Sequence, residues 1–169
     1  MGVITMKGNE FKTSGQLPAV GSKAPDFEVV DSNIAKKNLS DYKGKNLILN
    51  IFPSIDTPVC DLSVRKFNKE VLGLKNTIVL CLSADLPFAH KRFCTSNKIE
   101  NVTNLSVFRS PVFGIDYGVT ITTGPLRGLL SRAIIIIDSK GIVKYTQLVS
   151  EVSNEPDYEK ALEAIKAIS

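Results

Sequence analysis

Three cysteines, Cys60, Cys81 and Cys94, and one histidine, His90, are the most reactive side chains in this sequence. A cysteine reacts as its thiolate, and a free thiol has a pKa of about 8.5, so a reactive one needs nearby positive potential. The segment Pro53-Ser54-Ile55-Asp56-Thr57-Pro58-Val59-Cys60 can supply it. Thr57 suits a helix N-cap and Pro58 the first helical position. Cys60 then sits in the first turn, where N–H groups lack intrahelical acceptors. Together with the helix dipole they form an anion site. The Thr57 hydroxyl, one turn earlier, is placed to point at the sulfur, and Pro53 to shield it. Helix-start chemistry alone leaves two readings open. Cys60 is either a reactive thiol or a small buried hydrophobe, and Thr57 can be a simple cap.

The other candidates divide by their surroundings. Cys81 lies within TIVLCLSAD and reads as core. Cys94 lies on an expected helix over Pro87 to Asn97, where Lys91 and Arg92 favour its thiolate. A disulfide to Cys60 needs the two Cα atoms within about 7 Å, so two helix-borne cysteines would pair only if helix ends unwind. His90, one turn before Cys94, reads as an exposed helix histidine. The spacings of Cys60, Cys81, His90 and Cys94 match no short zinc knuckle. Arg132 precedes the apolar run Ala133 to Ile137 and, by itself, reads as a strand-end cation facing water. Asp61 follows Cys60, but neighbouring helix positions diverge by about 100°, which turns its carboxylate away from the sulfur.

These groups need a scaffold, and the hydrophobic pattern outlines one. Short extended runs at 3–7 and 10–13 flank Gly8-Asn9, a hairpin signal. The stretch 15–25 is loop. Phe27 to Val30 is a strand, and Asn38 to Tyr42 a turn of helix. Leu47 to Phe52 and Thr77 to Leu82 are nearly continuous apolar runs, as expected of strands buried on both faces. A helix opening at Thr57 carries Val59, Leu62, Phe67, Val71 and Leu74 as its apolar stripe and ends at Gly73. Further strands are expected at Asn104 to Phe108, Ser131 to Ile137 and Ile142 to Gln147, the last two joined through Asp138-Ser139-Lys140-Gly141. A final helix spans Pro156 to Ile168. Strand-helix alternation followed by a hairpin and a helix gives an α/β fold: a mixed central sheet flanked by helices, with an N-terminal β-hairpin. It is the thioredoxin-like arrangement, and at 169 residues one domain over 1–169 is expected.

Bulk properties narrow the function classes. Apolar residues make up 43% and charged residues 22%, as in ordinary globular chains. The net charge of +4 comes from dispersed basic residues, without the clustered patch that nucleic-acid binding needs. No stretch is long and apolar enough to span a bilayer, and the N-terminus lacks a leader pattern. A cytoplasmic protein is expected, in which thiols stay reduced unless catalytic. An odd cysteine count also argues against a secreted disulfide framework.

The pattern Pro53-xxx-Thr57-xx-Cys60 resembles the active-site motif of the peroxiredoxins. NIFPSIDTPVC with SVRKFN after it, SADLPFAHKRFC, YGV…GPLRGLLSRA and EPDYEKAL are similar to the bacterial thiol peroxidase branch, of the atypical two-cysteine kind. The similarity runs from about Val3 to Ala167. It implies a thiol peroxidase that reduces hydrogen peroxide and organic hydroperoxides for antioxidant defence. Cys60 would become a sulfenic acid, Cys94 would resolve it as an intramolecular disulfide, and thioredoxin would reduce that disulfide. It assigns Arg132 to the Cys60 thiolate and the peroxide, beside Thr57 and Pro53. It implies a homodimer, and neither cofactor nor metal. Ile55, Pro58, Val59 and Phe113 are candidates to line an apolar entrance for organic hydroperoxides. Two other classes compete: a disulfide reductase, disfavoured because no CxxC is present, and a sensor read by a client after Cys60 is oxidised.

Overall fold

The computed structural model describes residues 2–169. The N-terminal hairpin pairs β1 (Val3–Met6) with β2 (Asn9–Lys12). Its turn is Lys7-Gly8, one residue earlier than Gly8-Asn9, and both turn residues have positive φ. A two-residue turn of that hand matches the twist of the strands, and glycine supplies half of it without strain.

The main sheet has seven strands in the order β4-β3-β7-β6-β5-β8-β9. They are β3 (Glu28–Asp31), β4 (Lys36–Asn38), β5 (Asn46–Ile51), β6 (Thr77–Ser83), β7 (Thr103–Ser106), β8 (Ala133–Ile137) and β9 (Val143–Leu148). β5 runs parallel to β6, and β6 to β7, while the other pairings are antiparallel. The parallel pairs are connected through α1 (Pro58–Glu70) and α2 (Pro87–Asn97), as parallel strands require. A short α3 (Val112–Asp116) precedes β8, and α4 (Tyr158–Ala167) closes the chain. The pattern-based reading did not assign α3 or β4. β4 is Lys-Lys-Asn at the sheet edge, where charge discourages further pairing and leaves no apolar alternation to detect.

Alternation along β5 sends Leu47, Leu49 and Ile51 to one face and Ile48 and Phe52 to the other. The first face packs on Phe27, Phe113 and Tyr117. The second packs on α1 through Cys60, Val64 and Phe67, on α2 through Phe93, and on α4 through Ala161 and Ile165. The buried side of α1 is therefore Cys60, Ser63, Val64 and Phe67, and the expected Leu62 is half exposed. The helix is held to the sheet by polar contacts as well. Asn50, paired with Cys81 and Ile134 in the middle of the sheet, donates to Ser63 Oγ at 3.2 Å, and Ser63 Oγ donates to the Cys60 carbonyl at 2.9 Å. The sheet thereby fixes the turn that carries the thiol. A Ser63→Ala substitution leaves the buried Asn50 amide short of a partner. It is expected to lower stability by about 1–2 kcal/mol, seen as a lower urea midpoint at unchanged slope.

Candidate active site

α1 begins as its sequence dictates. Thr57 occupies the N-cap in extended conformation and Pro58 the first helical position. The Thr57 side chain does not cap, however. Its hydroxyl donates to the Ser54 carbonyl at 2.9 Å, which closes the loop just before the helix. Pro53 is buried at the end of β5, and Cys60 is wholly buried in the first turn of α1.

Arg132 meets the sulfur there. It enters from the residue before β8 and is 2% exposed, so it is no strand-end cation facing water. Its Nη2 lies 3.3 Å from Cys60 Sγ. Nε and Nη2 also donate to the Val152 carbonyl at 3.2 and 3.1 Å. Nη1 is buried without a partner. Among the described residues no carboxylate pairs with this guanidinium. A buried cation is costly unless an opposite charge compensates it, and the Cys60 sulfur is the contact able to become one.

The Val152 carbonyl is itself held in place. Thr5 of β1 donates its N–H to the Ser150 carbonyl at 2.6 Å, and Val152 returns a bond to the Thr5 carbonyl at 2.9 Å. The Glu151 carboxylate accepts from Ser153 Oγ at 2.7 Å, Thr5 Oγ1 at 2.8 Å and the Lys7 N–H at 3.2 Å. These bonds, those from Ser153 and Thr5 foremost, pull its pKa down to about 2. The hairpin thus fixes the loop that fixes Arg132. Nothing in the sequence pointed to Val152, because its role is carried by a backbone carbonyl.

A cavity of about 410 Å³ opens over this group. Pro53, Thr57 and Arg132 line its reactive end, and Met6, Pro58, Val59, Leu126, Leu129 and Val152 give it apolar walls. Pro58 and Val59 are thus where the entrance was expected. Ile55 and Phe113 are not. Ile55 is buried and borders a separate groove with Phe93 and Asn97. Phe113 is core, stacked on Tyr117 at 4.6 Å and edge-on to Phe27. Asp61 turns outward to pair with Arg65.

Cys94 is half-buried on α2, in the same cluster of side chains as Cys60 but not bonded to it. Its sulfur accepts from Asn104 Nδ2 at 2.6 Å. Lys91 reaches toward Asn33 and Arg92 pairs with Asp56, so neither helps Cys94 ionise. Burial pushes its thiol above the ordinary range, and the Asn104 bond offsets part of this. Cys81 is buried and pushed up to about 12, mainly by burial. His90 is not the exposed residue expected. It is fully buried, with Nε2 3.0 Å from Ser83 Oγ and a pKa lowered by burial. A stripe of Pro87, His90 and Phe93 faces inward on α2, a helical spacing visible in the sequence.

A mixed thioredoxin-like sheet with a buried cysteine at a helix N-terminus and an arginine against its sulfur defines a thiol-based redox protein. Comparison with known proteins agrees. The Redoxin family model matches residues 19–162. The thiol peroxidase of Corynebacterium glutamicum is 52% identical over 159 residues, covering 94% of this chain and 96% of that protein. The thiol peroxidase of Mycobacterium tuberculosis is 51% identical over 167 residues, covering 99% and 100%. Among solved structures, a peroxiredoxin-like protein from Aquifex aeolicus superposes with a TM-score of 0.93 at 40% identity, covering 99% of this chain and 97% of that one. The chain belongs to the Redoxin family, in its bacterial thiol peroxidase branch.

The surroundings of Cys94 make a direct expectation. In a Cys60→Ser variant its labelling by iodoacetamide should keep rising with pH beyond 9, since the thiolate is the nucleophile and burial delays its formation. A rate already level by pH 8 would contradict that environment.

Proposed function

We propose that this chain reduces hydroperoxides with Cys60 as the attacking thiolate, Cys94 as the resolving thiol and thioredoxin as the reductant. The contact that carries the reading is the buried Arg132 Nη2 at 3.3 Å from Cys60 Sγ, with no carboxylate competing for the charge among the described residues. A fixed cation beside the sulfur favours the anion that must attack, and it needs no reorganisation when charge moves onto oxygen.

The steps follow from the groups present. A hydroperoxide enters the cavity with its alkyl group along Pro58, Val59, Leu126 and Leu129. The free Arg132 Nη1 donates to a peroxide oxygen, and the Thr57 hydroxyl turns from the Ser54 carbonyl to do the same. Cys60 Sγ attacks the terminal oxygen, the O–O bond breaks, and the other oxygen leaves as alcohol or water once protonated. Cys60 is then a sulfenic acid. Cys94 attacks its sulfur, water departs, and a Cys60–Cys94 disulfide remains. The dithiol of thioredoxin reduces it by exchange.

The reduced arrangement supports local unwinding during resolution, because Cys60 is enclosed in α1 while Cys94, on α2, is engaged with Asn104 of β7. The apolar walls of the cavity support a preference for organic hydroperoxides over hydrogen peroxide. Comparable kcat/KM for cumene hydroperoxide and hydrogen peroxide would count against that preference. We further read the protein as a cytoplasmic homodimer. Among the described residues no helix is long and apolar enough to cross a membrane. Exposed Phe88, Phe108, Val112 and Ile115 follow the ends of the neighbouring strands β6 and β7, and offer apolar surface of the kind a second copy covers.

The test is NADPH consumption with thioredoxin, thioredoxin reductase and cumene hydroperoxide. Wild type should turn over and Cys60→Ser should not. Cys94→Ser should consume one equivalent of peroxide and then stop cycling with thioredoxin. Normal cycling of Cys94→Ser would place the resolving thiol elsewhere. Absence of wild-type turnover would favour the sensor reading.

A further inference from the structure

The loop that delivers Cys60 to its place is fastened to a residue outside the reacting groups. Asp85 lies between β6 and α2, at the entry to the helix that bears Cys94. Its Oδ1 accepts from Ser54 Oγ at 2.8 Å. Its Oδ2 accepts from the Ile55 N–H at 2.7 Å and from Ser83 Oγ at 2.5 Å. Its backbone carbonyl accepts from Ser106 Oγ of β7. With the Ser83 proton on Asp85, His90 Nε2 donates to Ser83 Oγ, so α2 joins the same chain of donors. Asp85 is thus a post bonded to β6 through Ser83 and to β7 through Ser106, to which both the Pro53–Thr57 loop and α2 are fastened.

We propose that Asp85 is a positioning residue for the resolving step: it latches the loop before Cys60 to the start of α2, and release of that latch gates the meeting of Cys60 with Cys94. The inference rests on the two-cysteine reading above. Ser54 and Ile55 cannot leave with the unwinding end of α1 unless their bonds to Asp85 break. These are charge-assisted bonds, among the stronger kinds. The second tie between loop and helix, Arg92 to Asp56 at 2.9 Å, is exposed on both sides and holds weakly. An asparagine at position 85 would keep the shape but replace one acceptor by a donor, against three incoming donors.

The latch sets a competition at the sulfenic acid. In one branch the Cys94 thiol displaces water and the disulfide forms. In the other a second hydroperoxide transfers an oxygen: an S–O bond forms, the O–O bond breaks, the sulfur is oxidised by two electrons to sulfinic acid, and the alcohol leaves. A tight latch slows the first branch and leaves the second unchanged.

The experiment mixes reduced full-length protein with increasing cumene hydroperoxide, quenches with acid, and counts disulfide and sulfinic forms by intact mass. Asp85→Asn should raise the peroxide concentration that gives half sulfinic product about tenfold over wild type. Ser54→Ala, which removes a single arm of the latch, should move it the same way by less. Ile137→Val, a core change in the separate cluster on the other face of the sheet, at the far end of β8 from Arg132, should leave it within twofold and so separates latch release from general loss of stability. An Asp85→Asn midpoint within twofold of wild type, or below it, overturns the inference, and an unmoved Ser54→Ala does so should Asp85→Asn not fold. A wild type that yields no disulfide at low peroxide refutes the two-cysteine reading instead.

Discussion

A guanidinium out of contact with water must be compensated, and in this fold the compensation falls to a sulfur. Arg132 is 2% exposed and has no carboxylate partner among the described residues; its contacts are the Val152 carbonyl and Cys60 Sγ. Much of the surrounding structure follows from keeping that arrangement. A neutral carbonyl orients the cation without neutralising it, so the charge stays directed at the Cys60 sulfur. A carboxylate in its place would have made a strong ion pair and a poor activator.

Each partner is delivered by a different part of the chain, and each delivery is mechanically supported. β8 brings Arg132 up to the end of the sheet, where all five of its residues are buried. The parallel pair β5 and β6 sets the start of α1, with Asn50 and Ser63 pinning the turn around Cys60. The hairpin lies before the stretch matched by the family model, yet it braces residues 150–153 and supplies Met6 to the cavity wall. Cys94 is kept apart, bonded to Asn104 with its thiol pushed up by burial. In the proposed cycle, peroxide attack uses the arrangement seen here, and resolution by Cys94 would need a second one reached by movement.

What was legible in the sequence is what is local. Thr57-Pro58 announced the start of α1 and so the setting of Cys60, and continuous apolar runs announced β5 and β6. The limits of α2 were readable from Pro87 to Asn97. Less was legible wherever a side chain's meaning depends on a distant backbone group. Arg132 alone read as a surface cation, because the Val152 carbonyl leaves no trace in a pattern of residue types. His90 read as exposed because its partner, Ser83, sits on a strand seven positions earlier. Phe113 is apolar, a property the core uses more often than a pocket does, and it packs in the core. β4 escaped because edge strands are built from charged residues for reasons unrelated to the core.

The direct test of the Arg132–Cys60 pairing is the second-order rate constant for the first oxidation of reduced protein by cumene hydroperoxide, followed by rapid quench and intact mass. Arg132→Met, confirmed to be folded by circular dichroism, should react slower by roughly 10²–10³-fold, the range found on removing one donor that stabilises developing oxygen charge. A rate within about threefold of wild type would show that Cys60 does not depend on the buried cation beside it, and the account would fail at its centre.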